Sequence, residues 1–118
     1  MMSKNMSGRY FATFGKPVDQ VSIGVPTETF ENERRVALSP EATQRLTKLG
    51  FTVNIEDKAG KNADFSNEMF EKAGANIVST QDALQSDLVL KVRAPTSSEV
   101  SSMKDEAGLI SYIAPAQN

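Results

Sequence analysis

The 118-residue sequence predicts an α/β fold, an open parallel sheet of about five strands with helices on both faces. Three observations carry this expectation. Short apolar runs at residues 21–25, 51–55, 75–78, 88–92 and 109–113 recur between segments of helical character. Their alternation implies right-handed strand–helix–strand crossovers, which build parallel sheets. Leu88-Val89-Leu90-Lys91-Val92 is apolar on successive residues apart from one lysine, as expected of a strand covered on both faces.

Residues 1–20 stand apart from this pattern. They carry Lys4, Arg9 and Lys16 against the single acid Asp19, a composition that reads as either a disordered extension or a transit peptide. The structured domain is placed at residues 21–118. Its first strand, 21–25, is stopped by Pro26. A helix begins after Ser39, which can cap it, with Pro40 suited to the first helical position and Glu41 to the positive end of the helix dipole. Ala42, Leu46 and Leu49 are its expected buried stripe, and Gly50 supplies the left-handed residue that ends it. Phe51, Val53 and Ile55 alternate as the second strand. Ser66 caps the next helix, Phe65 and Phe70 have the spacing of a hydrophobic staple, and Gly74 closes it. The third strand is 75–78, a short helix spans about 81–85, and the fourth strand is 88–92. A polar helix around 98–104, containing Val100 and Met103, leads to the fifth strand at 109–113. This succession is Rossmann-like or flavodoxin-like.

Composition narrows the chemistry. With 13 Lys+Arg against 15 Asp+Glu the net charge is −2, and the sequence holds no histidine and no cysteine. Serine–histidine and cysteine–histidine nucleophile systems, zinc sites of the usual nitrogen and sulfur kind, and disulfides are thereby excluded. No metal is expected. A slightly acidic chain offers no broad cationic surface for nucleic acid, and no apolar run approaches the roughly 20 residues that span a bilayer.

In open parallel sheets ligands bind beyond the carboxyl ends of the strands. That end gathers the loop with Glu28, Glu31, Asn32, Glu33, Arg34 and Arg35, the fourth-strand residues Lys91 and Arg93, and Tyr112, Gln117 and Asn118 after the fifth strand. An anionic ligand such as a 2-oxo acid needs an arginine fork for its carboxylate and a lysine to polarise its carbonyl. Arg35 and Lys91 are the leading candidates; Arg34, Arg93, Tyr112, Gln117 and Asn118 are secondary ones. The alternatives are plain: Arg34 and Arg35 follow three acids and can pair with them, Lys91 must snorkel, pair or bind something, and Tyr112 can be a core aromatic. No G-x-G-x-x-G and no G-x-x-x-x-G-K-[ST] is present, so a dinucleotide-binding half is expected outside this chain. The chain stops just after a strand, and the sheet is read as truncated.

Taken in order, Ile23-Gly24-Val25-Pro26 with Glu28, then Asn32-Glu33-Arg34-Arg35-Val36-Ala37-Leu38-Ser39-Pro40, and later Leu88-Val89-Leu90-Lys91-Val92-Arg93-Ala94-Pro95, resemble the N-terminal domain shared by alanine dehydrogenases and proton-translocating NAD(P) transhydrogenases. Alanine dehydrogenases of this family carry a catalytic histidine after the aromatic of the last strand, where this chain has Ala114. The ending Pro115-Ala116-Gln117-Asn118 is similar to the transhydrogenase form. The resemblance therefore implies a fragment of the NAD(H)-binding component of a transhydrogenase, an oxidoreductase inactive in this form alone. Its implied partners are the missing NAD-binding Rossmann domain, a separate component binding NADP(H), a membrane domain and a second copy in a homodimer, with the assembly in the mitochondrial inner membrane. Arg35 and Lys91 match the positions where alanine dehydrogenase holds its substrate's carboxylate and carbonyl, and in a transhydrogenase they are equally read as ion-pairing residues of the interdomain cleft. The competing expectations are a fragment of an alanine- or saccharopine-type dehydrogenase and a stand-alone module that binds a small carboxylate.

Overall fold

The computed structural model describes residues 10–11 and 16–112; Ala114, Gln117 and Asn118 lie outside the described residues. A two-residue strand β1 (Tyr10–Phe11) pairs antiparallel with β2 (Lys16–Pro17), and a 3₁₀ turn at Val18–Gln20 leads into the main sheet. That sheet contains β3 (Ser22–Val25), β4 (Thr52–Glu56), β5 (Asn76–Val78), β6 (Leu88–Lys91) and β7 (Gly108–Ser111), every pair parallel. Its order is β5-β4-β3-β6-β7. Counting from the first strand of the sheet this is 3-2-1-4-5, the Rossmann-like order, which decides against the flavodoxin-like alternative. The connecting helices are α1 (Pro40–Leu49), α2 (Asn67–Lys72), α3 (Thr80–Leu84) and α4 (Ser97–Ser102). Right-handed crossovers toward β5 put α1 and α2 together on one face, and those toward β7 put α3 and α4 on the other.

Alternation along the strands assigns each face. Ile23, Val25, Val53, Ile55, Leu90 and Val92 join Phe70 of α2 in the core under α1 and α2. The intervening residues Gly24, Asn54, Val89 and Lys91 face α3 and α4. Cover on both faces explains why β6 reads as an apolar run up to its last residue, with Val89, Leu90 and Lys91 all buried.

The local punctuation is as expected. Ser39 Oγ accepts from the amide of Ala42 at 3.1 Å, Pro40 opens α1, and Gly50 ends it at φ +111°. Ser66 caps α2 through the Met69 amide, and Phe65 and Phe70 meet edge to face with ring centroids 6.1 Å apart. Three expectations need correction. Leu49 is exposed, because α1 buries a face centred on Thr43, Leu46 and Thr47, the last tied by its hydroxyl to the Ala73 carbonyl at 2.7 Å. The helix expected at 98–104 starts at Ser97 with Thr96 as its cap, and it buries Glu99 while leaving Val100 exposed. Tyr112 is no core aromatic; it is 59% exposed in the bend after β7.

Candidate functional site

The chain leaves β3 in one direction along the sheet and returns on its other side through β6, so a crevice opens beyond the carboxyl ends of these two neighbours. Two groups of charged residues meet there, one buried and one on the rim.

The buried group is built on Lys91, the last residue of β6. Its ammonium lies 3.0 and 3.1 Å from the two carboxylate oxygens of Glu99 and 3.5 Å from Oε1 of Glu28. The side chains of Lys91 and Glu28 are each only 2% exposed. Glu28 also accepts from the amides of Val92 and Arg93 at 2.7 and 3.2 Å, taking up donors that β6 leaves open as it ends. Glu99 Oε1 accepts from the Thr96 amide at 2.8 Å while the Thr96 hydroxyl accepts from the Glu99 amide, a reciprocal cap that fixes the first turn of α4. One ammonium thus joins the loop after β3, the end of β6 and the start of α4.

The rim group is built on Glu33. Glu33 Oε2 accepts from Nε and the backbone amide of Arg35 at 2.7 and 2.9 Å, and Oε1 accepts from Arg35 Nη2 and Arg93 Nε, each at 2.8 Å. The Arg93 guanidinium lies 4.1 Å over the ring of Phe30. Hydrogen bonds from the Arg35 side chain, supplemented by its amide and Arg93, hold the Glu33 carboxyl well below the usual carboxylate range, although burial pushes it up. The same pairing raises Arg35 above its ordinary value. A carboxyl whose folded pKa is depressed stabilises the fold above its unfolded value, and that contribution fades as pH falls toward the folded one. Acid unfolding of the wild type and of Glu33→Gln should therefore differ: between about pH 5 and pH 2 the wild type loses stability with the steeper slope. Equal slopes would show that Glu33 carries no such linkage.

The sequence candidates divide clearly. Arg35 and Arg93 come together through Glu33, Lys91 is buried and paired with Glu28 and Glu99, and Arg34 is exposed with no ion pair among the described residues. Tyr112 sits at the same edge, donating its hydroxyl to the Ala37 carbonyl at 3.2 Å and its amide to the Lys91 carbonyl. Glu99 was not anticipated, although Thr96-x-x-Glu99 is a readable capping signal. Glu28 and Glu33 were placed at this end without their roles, and Phe30 was missed. A hollow of about 380 Å³ adjoins the buried group, lined by Thr29, Thr80, Thr96, Ser98 and Glu99 among others. A larger one, about 470 Å³, is formed by the segment between β4 and α2, where Lys58 and Lys61 are balanced by Asp64 and Glu68.

The described residues do not offer a cradle for a dinucleotide's pyrophosphate. The loop from β3 to α1 holds no glycine, Pro40 removes one amide from the start of α1, and Ser39 occupies another. Gly24 serves packing instead: a Cβ there would lie 1.9 Å from the Ala83 carbonyl oxygen of α3.

Comparison with known proteins agrees with this architecture. Residues 24–118 match the profile of the alanine dehydrogenase/PNT N-terminal domain. The chain belongs to this family. Among curated members of the alanine dehydrogenase/PNT family, it is 47% identical over 96 residues to NAD(P) transhydrogenase subunit alpha of Haemophilus influenzae, covering 81% of this chain and 19% of that protein. Alanine dehydrogenase 1 of Staphylococcus aureus is 44% identical over 77 residues, 65% of this chain and 21% of that one. Among solved structures, a transhydrogenase from Sinorhizobium meliloti superposes with a TM-score of 0.77 at 36% identity, covering 82% of this chain and 29% of that one. An L-alanine dehydrogenase superposes with a TM-score of 0.75 at 38% identity, covering 77% and 26%. The chain spans about a fifth of the length of the curated relatives it matches. No helix among the described residues is long and apolar enough to cross a membrane.

Proposed function

We propose that residues 21–118 are the N-terminal part of the NAD(H)-binding alpha component of a proton-translocating NAD(P) transhydrogenase and form one wall of its nucleotide cleft. In this reading NAD(H) is held by a Rossmann domain outside residues 21–118, NADP(H) by a separate component, and hydride passes directly between the two nicotinamides. A membrane domain, a homodimer and an inner mitochondrial location with residues 1–20 as a transit peptide belong to the same proposal. Such a part does not transfer hydride by itself.

The observation that carries the proposal over an amino-acid dehydrogenase is the state of Lys91. The resemblance to alanine dehydrogenase implies that such an enzyme would use this ammonium to polarise a substrate carbonyl, yet here it is enclosed by Glu28 and Glu99. Nor does the sequence hold a histidine to relay a proton. Direct transfer between two nicotinamides requires neither group. The test is a chimaera in which residues 21–118 replace the matching segment of the Haemophilus influenzae alpha subunit, assembled with its partner subunits. Transhydrogenation is expected to survive, without L-alanine-dependent reduction of NAD.

A further inference from the structure

The segment between β4 and α2 is exposed but closely built. Its ends are clamped by Asn67, whose Oδ1 accepts from the Lys58 amide at 2.9 Å while its Nδ2 donates to Asp57 Oδ1 at 2.7 Å. A 3₁₀ turn at Lys61–Ala63 and a 2.9 Å bond from the Phe65 amide to the Gly60 carbonyl fold the middle back on itself. Lys58 and Asp64 take left-handed conformations, at φ +65° and +67°. Residues with a side chain adopt these rarely, and keep them only where the surroundings hold them. Phe65 is set edge to face against the fully buried Phe70, which fixes its ring.

This frame shapes the hollow of about 470 Å³. Lys58 and Lys61 line it from the arm that leaves β4, Asp64 and Glu68 from the arm that enters α2, and half-buried Phe65 supplies an apolar wall. None of the four charged side chains has an ion pair or a hydrogen bond among the described residues. Two charges of each sign leave the rim neutral, so a simple ion drawn to one pair is repelled by the other. A ligand that carries both signs is drawn to both pairs at once.

We propose that this hollow binds a free zwitterionic amino acid with an apolar side chain. Its carboxylate faces Lys58 and Lys61, its ammonium faces Asp64 and Glu68, and its side chain lies against Phe65. The clamped loop keeps the ordering cost of binding low. The hollow shares no lining residue with the groups around Lys91 and Glu33, and the proposal does not draw on the transhydrogenase reading.

The test follows the backbone amides of the full chain by NMR during titration with L-phenylalanine. Three analogues run in parallel: 3-phenylpropionate lacks the ammonium, phenethylamine lacks the carboxylate and glycine lacks the ring. L-Phenylalanine is expected to shift residues 57–68 saturably. Each analogue should bind about tenfold more weakly or worse, as for loss of a charge-assisted hydrogen bond or of the ring's buried surface. Lys61→Gln and Glu68→Gln, both at exposed positions that leave the fold intact, should each weaken L-phenylalanine by a similar factor. Lys48→Gln, on α1, should bind as the wild type does. A one-charge analogue or glycine that binds as tightly as L-phenylalanine would overturn the proposal, as would wild-type binding by both Lys61→Gln and Glu68→Gln. Shifts centred on residues 28–35 and 91–93 would place the ligand in the switch-point crevice and overturn it equally, and so would a titration that does not saturate.

Discussion

Replacing Lys91 with methionine is expected to cost about 3–5 kcal/mol of folding stability, as when one partner of a buried ion pair is removed. Methionine fills nearly the same volume, so the loss is one of charge. Without the ammonium, two carboxylates that are almost entirely shielded from water face each other across the end of β6. The backbone amides of Val92, Arg93 and Thr96 soften the repulsion without cancelling it. Domains of this size are stable by about 5–15 kcal/mol, so the loss is a large share of the total. Urea unfolding of the two proteins measures it; a difference below about 1 kcal/mol would place the pair in the class of solvent-screened surface bridges and contradict the burial described here.

Gly24→Ala is the second severe substitution. Its added methyl would lie 1.9 Å from the Ala83 carbonyl oxygen, 2.6 Å from Ser86 Oγ and 2.9 Å from the Ala83 carbonyl carbon. A serine side chain can rotate away, but the carbonyl belongs to the backbone of α3. To make room, α3 must lift from β3 and β4, disturbing the Asn54–Ser86 hydrogen bond that ties this helix's end to the sheet. Overpacking of this kind costs about 1–3 kcal/mol and occasionally more, and a clash with backbone puts this substitution at the top of that range, about 3 kcal/mol. Thermal unfolding with a near-ultraviolet dichroism spectrum reads the effect. A melting temperature unchanged from the wild type would mean that α3 does not pack this closely.

What was legible in the sequence was local. Ser39-Pro40, Gly50 and the Phe65-Ser66…Phe70 staple are signals spanning a few residues, and each marks the element boundary it predicts. The apolar run of β6 likewise announced a strand buried on both sides. Strand order was not legible, because both doubly wound topologies satisfy the same alternation and only the long-range pairings of Ile23 with Leu88 and of Ile55 with Ile77 separate them. The exposure of Leu49 has the same origin: periodicity gives a stripe, but the Thr47–Ala73 contact rotates the buried face.

At the site, residue types were easier to read than their relations. Lys91 at the end of an apolar strand had to be paired, bound or extended to solvent, and the structure chooses pairing. Its main partner, Glu99, lies in a different element and reaches it only when α4 packs over the end of β6. Glu33 was visible as one acid among several, and nothing in its spacing shows that one carboxylate holds both Arg35 and Arg93.

The role proposed for this wall of the cleft is hydride exchange between nicotinamides, not amino-acid oxidation. The most direct measurement is the rate at which the chimaera carrying residues 21–118 reduces an NADP analogue with NADH, alongside its L-alanine-dependent reduction of NAD. Transhydrogenation that responds to both nucleotides, with no alanine-dependent rate above background, is the expected result. Alanine-dependent reduction in the absence of transhydrogenation would contradict it.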